Sequence, residues 1–530
     1  MRRVSRRHFL AVAPVAALPV VSAARLRAGA QSATDAVFRH GVASGDPLTD
    51  RVVLWTRVTT GTEVATVRWV VATDPQLRRV VARGETPTGA WRDHTVKVDV
   101  TGLQPGTAYY YQFESSGGRS PLGRTRTLPG ESATRLRVGV VSCSNLPQGY
   151  FNAYGALARR PDLDAVLHLG DYIYEYANAG FGDGTSLGRI PSPNREIVAL
   201  ADYRMRHAQY KADPDSIAMH RQHPLIAVWD DHEFTNNTWR DGAQNHNPDE
   251  GEGEWHVRRA AALQAYFEWM PVREVASLTP QIYRTLRVGR LADLIMLDTR
   301  LVGRDQERAS RDDVAGVEAA DRQLLGAAQE AWLHGELAAS AQAGTRWQIL
   351  GQQVMFAPQT PPGQPTTNTD SWDGYRPARD RVFDMIAQQR LSSVAVLTGD
   401  VHASWVYDLP RRPFDGYDPT TGRGSMGVEF VGTSVSSPSS TGSGPDGEQR
   451  LAALRAARPH LHYVDGRRRG YYVLDVTRER IQADYFTMAT VQDRRLDETF
   501  VGGFAAPAGQ MHLTRQSSPV APPSAPDPAG

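Results

Sequence analysis

Four apolar runs in this chain each end in a burst of chemistry, and that arrangement limits its fold more than any other feature of its 530 residues. Arg135–Val141 runs into Ser142-Cys143-Ser144-Asn145. Asp164–Leu169 leads to Gly170-Asp171-Tyr172-Ile173-Tyr174-Glu175. Leu225–Trp229 ends at Asp230-Asp231-His232-Glu233, with Asn236 and Asn237 just beyond. Ser393–Leu397 ends at Thr398-Gly399-Asp400-Val401-His402. Each run has the length and β-branched content of a buried strand, and helical stretches separate them, so an α/β (α+β) architecture is expected. In such layers ligands bind beyond the carboxyl ends of strands. One such end would be a weak signal. Four that deliver thiol, phenol, imidazole and carboxylate describe one pocket.

The physics of that pocket favours metal. Carboxylates gathered together repel one another and lose water, so they need cations or protons. Hard oxygen donors select ions such as calcium, magnesium or ferric iron, whereas a phenolate and a thiolate suit a trivalent or transition ion. Asp171 and Tyr174 are three residues apart, a spacing that in a turn can aim both side chains at one ion. Two ions a few Å apart would clamp a phosphate and activate a water for in-line attack. Every residue also has an ordinary reading. Cys143 alone is more often a small buried residue, and Asp171 could be a helix N-cap. Tyr172, Tyr174 and Tyr176 could be core or surface aromatics, and His402 a satisfied core histidine. Their convergence tips the balance. His168, within its strand, is read as structural.

The rest of the chain sets the context. Ser5-Arg6-Arg7-His8-Phe9-Leu10, the apolar run Ala11–Ala24 and Ala28-Gly29-Ala30 read as a twin-arginine signal peptide over residues 1–30, cleaved after Ala30. Export through the twin-arginine translocation machinery, to a secreted or periplasmic location, is therefore expected. The single cysteine excludes an intramolecular disulfide, so an exported chain must rely on a large core or bound metals. A formal net charge of +1 argues against a dedicated nucleic-acid binder. Residues 36–130 alternate β-branched strands with turns, and Gly102–Tyr111 resembles the tyrosine-bearing corner of a fibronectin-like β-sandwich. Residues 135–515 would form the catalytic domain and 516–530, rich in Pro, Ser and Ala, a disordered tail. Helical spacing predicts helices at Trp255–Trp269 and Leu324–Ser340. Arg204, Arg300 and Trp372-Asp373-Gly374-Tyr375 are candidates for the pocket wall, because Arg pairs bidentately with phosphate.

The Gly-Asp-x-x-Tyr, Asp-Asp-His-Glu and Gly-Asp-Val-His set resembles the calcineurin-like metallophosphoesterase superfamily, and within it the alkaline phosphatase D (PhoD) family. His40-Gly41-Val42-Ala43-Ser44-Gly45-Asp46-Pro47, Val141-Ser142-Cys143-Ser144 and Leu297-Asp298-Thr299-Arg300 are similar to that family too. The resemblance implies a metallophosphoesterase-type β-sandwich flanked by helices, binding ferric iron (Fe3+) and calcium (Ca2+). By it Cys143, Asp171 and Tyr174 would hold iron, with a further donor from Asp400 or His402. Asp171 would bridge to calcium, Asp231 would ligate the second ion, and Asn237 or Asn236 would add to it. His232 would touch the phosphate, as transition-state stabiliser or general acid. The implied activity is hydrolysis of phosphate monoesters or diesters by a monomeric enzyme. A phospholipase D-like phosphodiesterase acting on phospholipids and an exported phosphate-binding module are the alternatives; a haloperoxidase fits the ligand set less well.

Overall fold

A computed structural model of the chain describes residues 37–274 and 281–529. The twin-arginine motif and the expected cleavage site lie outside them. The N-terminal part contains β1 (Val42–Gly45), β2 (Arg51–Arg57), β3 (Val64–Ala72), β4 (Val80–Gly89), β5 (Thr95–Thr101), β6 (Ala108–Ser115), β7 (Gly118–Arg119) and β8 (Gly123–Arg126). Strands β3, β4, β6, β7 and β8 form one sheet. It packs against β1, β2 and β5 over a core that includes Leu54, Val67, Val71, Val96, Tyr111 and Phe113. At the start of β6 the Tyr109 hydroxyl accepts a hydrogen bond from Gln104 N at 2.8 Å, the tie between corner and strand that a sandwich of this kind uses.

The larger part begins with β9 (Arg135–Val141), β10 (Ala165–His168) and β11 (Pro224–Ala227), followed by the short pair β12 (Thr238–Trp239) and β13 (Gly242–Ala243). Then come β14 (Arg284–Val288), β15 (Ala292–Met296), β16 (Trp347–Gly351), β17 (Val394–Thr398), β18 (Ser404–Pro410), β19 (Ser425–Val431) and β20 (Leu461–Asp465). The last four are β21 (Gly470–Thr477), β22 (Arg480–Met488), β23 (Glu498–Pro507) and β24 (Thr514–Gln516). Two large sheets result. One runs β24-β23-β22-β21-β9-β10-β11-β1-β2-β5, and the other β14-β15-β16-β17-β19-β18-β20. Leu136, Val138 and Val140 of the first sheet share a core with Leu294, Ile349 and Leu397 of the second. The alternate residues Ile295, Leu350, Val394 and Val396 face the other way, into a core with Leu333 and Leu337 of helix Gly326–Ala343 and Val382 and Phe383 of helix Arg376–Gln388. This is the period-two division of a sheet buried on both faces. The expected helix Trp255–Trp269 forms with those bounds.

Two features go beyond what the sequence indicated. The N-terminal sandwich shares a sheet with the larger part, because β1 pairs in parallel with β11, Ser44 opposite Pro224 and Gly45 opposite Leu225. Three of its strands thereby extend the larger sheet. A Cβ on Gly45 would lie 2.1 Å from Pro271 O and 2.7 Å from Leu225 O, so only glycine permits this approach. The tail differs too. Residues 517–529 form no helix or strand, yet they are anchored along their length. Val520 N donates to Asp484 Oδ2 at 2.8 Å, the Tyr110 hydroxyl donates to Asp527 O at 2.6 Å, and Ala529 N donates to Gln222 Oε1 at 3.1 Å. A proline-rich strip needs no ladder of its own when side chains elsewhere satisfy its backbone. Among the described residues no helix is long and apolar enough to cross a membrane.

Candidate metal centre

Parallel strands β9, β10 and β11 end side by side, and β17 of the opposite sheet ends across from them. The turns that follow are unusual. Cys143 (φ 62°), Asp171 (φ 57°), Asn237 (φ 50°), Asp400 (φ 64°) and His402 (φ 54°) all adopt left-handed backbone. Non-glycine residues avoid that region, and it persists where surrounding structure enforces it, typically at functional sites. The enforcement here is visible. Buried Glu233 accepts the backbone N–H of Asp171 (3.0 Å), Tyr172 (2.6 Å) and Asp230 (2.8 Å), and Cys143 N donates to Gly170 O at 3.1 Å.

The side chains converge in three overlapping clusters: Cys143, Asp171 and His402; Asp171, Asp231 and His232; and Asp230, Asp231 and Asp400, each with its donor atoms within 4.8 Å of one another. Asp171 belongs to the first two clusters, and Asp231 to the last two. The Tyr174 hydroxyl joins the first, 2.8 Å from Asp171 Oδ2 and 3.1 Å from His402 Nε2. His402 Nδ1 lies 2.9 Å from Pro438 O, which leaves Nε2 turned toward the cluster. Asn237 donates its side-chain N–H to Gln244 and Glu307, both at 2.8 Å, and its backbone N–H to Asp231 Oδ2 at 2.6 Å. His232 stacks on Tyr174 at 4.2 Å, and its Nδ1 lies 2.7 Å from Glu175 Oε2. The Phe181 ring lies parallel to His232 at 6.2 Å and near His402 at 6.0 Å.

Electrostatically the cluster is short of positive charge. Burial and the neighbouring Asp171 push the Cys143 thiol and the Tyr174 phenol well up. Burial also drives the Asp400 carboxyl up to about 8 against the pull of Arg300, with Asp370, Asp231 and Asp171 adding repulsion. Burial opposes ionisation of Asp231 as well, but Arg300, His232 and the Asn237 N–H outweigh it and bring that carboxyl down to about 2. For His232 the charge of Glu175, Asp231 and Asp171 overcomes burial and raises the imidazole well above its ordinary value. Asp230 Oδ2 is buried without a hydrogen-bond partner. Thiol, phenol, imidazole and several carboxylates, with too few cations and an orphaned oxygen, form a donor set that fits one softer and one harder metal ion.

The two arginines expected at the pocket wall are placed otherwise. Arg204 lies outside the cluster: its Nε and Nη2 donate to Glu268 at 2.7 and 2.6 Å and Nη2 also to Trp91 O at 3.1 Å, so it ties helix Leu200–Lys211 to the N-terminal sandwich. Arg300 lies inside the cluster, but fully buried. Nε donates to Asp230 at 2.5 Å, Nη1 to Asp370 at 2.8 Å and Nη2 to Asp400 at 2.8 Å, so its guanidinium is committed to carboxylates rather than free for a phosphate. Trp372, Asp373, Gly374 and Tyr375 are buried in the second core and wall no opening. Several members of the site escaped notice. Glu175 and Glu233 stood inside the motifs, but nothing marked them as supports. Asp370 and Ser437, whose Oγ donates to Tyr174 at 2.8 Å, sit in loops without any pattern.

Known proteins resemble this chain over most of its length. The sequence pattern described as "PhoD-like phosphatase" matches residues 138–485, and that of "PhoD-like phosphatase, N-terminal domain" matches residues 22–129. "Alkaline phosphatase D" of Bacillus subtilis (strain 168) is 38% identical over 502 residues, covering 91% of this chain and 82% of the relative. The solved "Structure of PhoD" superposes with a TM-score of 0.83 at 36% identity, covering 92% of this chain and 93% of that one.

Proposed function

The chain belongs to the PhoD-like phosphatase family and is a phosphoesterase, and on that premise we propose that it hydrolyses phosphate monoesters and diesters at a mixed iron–calcium centre. The observation that carries this reading is the left-handed backbone shared by Cys143, Asp171, Asn237, Asp400 and His402 at converging strand ends. Cys143, Tyr174 and His402 would hold ferric iron together with Asp171. Asp231, Asp400 and Asn237 would hold calcium, with Asp171 between the two ions. This division is supported by the way His402 clusters with Cys143 while Asp400 clusters with Asp231. When bound, the ions would supply Lewis-acid polarisation of the ester and a water acidic enough to attack it.

The chain's own side chains would do the rest. His232, kept protonated by Glu175 and the neighbouring aspartates, would donate to a phosphate oxygen or the leaving group. Arg300 would hold Asp230 and Asp400 in place before metal enters. Beside Asp400 opens a cleft of ≈ 760 Å³, with Arg311, Arg450 and Arg458 among its lining residues and Trp405 and Leu454 as apolar surface. It would take the ester's organic group and any further negative charge on it. Twin-arginine export, with the metals loaded before translocation, completes the proposal.

Elemental analysis of the purified protein, together with turnover of a chromogenic phosphate ester, is the test. Iron and calcium should both be present. Chelation should abolish turnover, Cys143→Ser should lose iron while keeping calcium, and Asp171→Asn should lower kcat/KM by about a thousandfold or more. A metal-free protein that binds phosphate without turnover would overturn the metal assignment.

A further inference from the structure

Toward the far end of β18 from His402, a second group of donor side chains gathers around Asp408. We propose that Asp408, His462 and His512 form a separate binding site for zinc or a similar divalent transition ion, which fastens the segment after β23 to the edge of the second sheet. One carboxylate oxygen and two imidazole nitrogens lie there within 4.8 Å of one another.

Asp408 is fully buried on a central strand, and its ion pairs are with these two imidazoles: His462 Nε2 at 3.2 Å from Oδ1, and His512 Nδ1 at 2.7 Å from Oδ2. The His462 nitrogen is itself buried and makes no aligned hydrogen bond. Leu513 N donates to Oδ1 at 3.0 Å and the Tyr417 hydroxyl to Oδ2 at 2.8 Å, so the carboxylate is held in orientation from outside the imidazole pair.

Four chain segments are shaped to bring these groups together. Strand β18 is irregular in its pairing with β20 between Val406 and Tyr407, and in its pairing with β19 between Asp408 and Pro410. Bulges of this kind re-aim side chains; these two flank Asp408, and the first sits opposite His462. The loop after β18 supplies Tyr417 and then Gly422, where an added Cβ would lie 2.4 Å from His512 Cβ and 2.8 Å from its Nδ1. His512 is thus seated by a glycine of another loop. Two imidazoles and a carboxylate are a ligand set that zinc takes readily, with a fourth position open to water. The two imidazoles are about one-fifth exposed, enough for an ion to enter.

The test uses the full-length chain, stripped with a chelator and then titrated with zinc alone. Zinc content after gel filtration and thermal unfolding are read for the wild type, His462→Gln and His512→Gln. The wild type should retain one more zinc per chain than either variant and gain several degrees in Tm with zinc, a gain that both variants lose while their iron and ester hydrolysis in the reconstituted enzyme stay unchanged. Equal zinc retention and equal Tm shifts in all three proteins would overturn the proposal and leave Asp408 as a carboxylate held by the two imidazoles alone. Should either variant fold poorly, zinc uptake by Asp171→Asn decides: with the first centre broken, the zinc-dependent gain in Tm should persist, and its loss would overturn the second site.

Discussion

Arg300 donates through Nη2 to Asp400 Oδ1 at 2.8 Å with its guanidinium fully buried, and the same group reaches Asp230 and Asp370 through its other nitrogens. One cation from the strand-end motif after β15 thus holds together acids contributed by β11, β17 and a loop. Removing one partner of a buried charge network costs about 3–5 kcal/mol, because the remaining charges stay buried and unpaired. Arg300→Met should therefore lower the unfolding free energy by about that much in metal-free protein, and by less once metals are restored, as read from urea midpoints. Arg300→Lys should not rescue it, since one ammonium cannot reproduce the fork.

Glu175 orients His232 without facing the cleft. Glu175→Gln should lower kcat by about ten- to a hundredfold with little change in KM. The sign of the pH effect follows from the charges. The Glu175 carboxylate raises the His232 pKa, so its loss lowers that pKa, and the imidazole loses its proton at lower pH. The basic limb of the kcat/KM profile should move to lower pH, and an unmoved limb would remove His232 as the acid.

Arg204 makes a paired contact with Glu268 on the helix next to the sandwich, away from the cluster. Arg204→Ala should leave kcat/KM unchanged and cost about 1 kcal/mol, the ordinary worth of a partly exposed charged pair. A large rise in KM would return this residue to the substrate.

Glu429, buried on β19 of the second sheet, accepts from Phe356 N, Ala357 N and the Thr398 hydroxyl. Burial raises its carboxyl to about 7 even so. The folded state then holds a proton that the unfolded chain releases near pH 4.5, so this group's contribution to stability falls as pH rises from about 4.5 to about 7. Glu429→Gln, which cannot ionise, should be less stable than the wild type at pH 4.5, where three donors meet its amide. The gap should narrow by pH 8, as urea midpoints at the two pH values would show.

The legible parts of this molecule are those whose signal is local. Strand Arg135–Val141 and helix Trp255–Trp269 have the bounds their periodicity predicts, because side-chain spacing within one element sets them. The donor side chains at the four strand ends were legible for the same reason. The division between Asp400 and His402 was not, since it depends on two left-handed residues turning neighbouring side chains to different clusters. Arg204 and Arg300 look alike in sequence, and only the tertiary position of Glu268 or Asp230 decides what each one does. The pairing of β1 with β11 and the anchored strip 517–529 rest on contacts between distant residues, which no local pattern encodes.

That pairing has a consequence for the order in which the chain can be built. As synthesis proceeds from the N-terminus, β1 is made long before residue 224 exists to pair with it, and Tyr110 long before Asp527. A nascent chain halted in the middle would carry a sandwich with an open sheet edge, the kind of edge that invites pairing with other chains. The N-terminal region therefore closes only when most of the polypeptide has left the ribosome, and its final shape is a property of the finished chain.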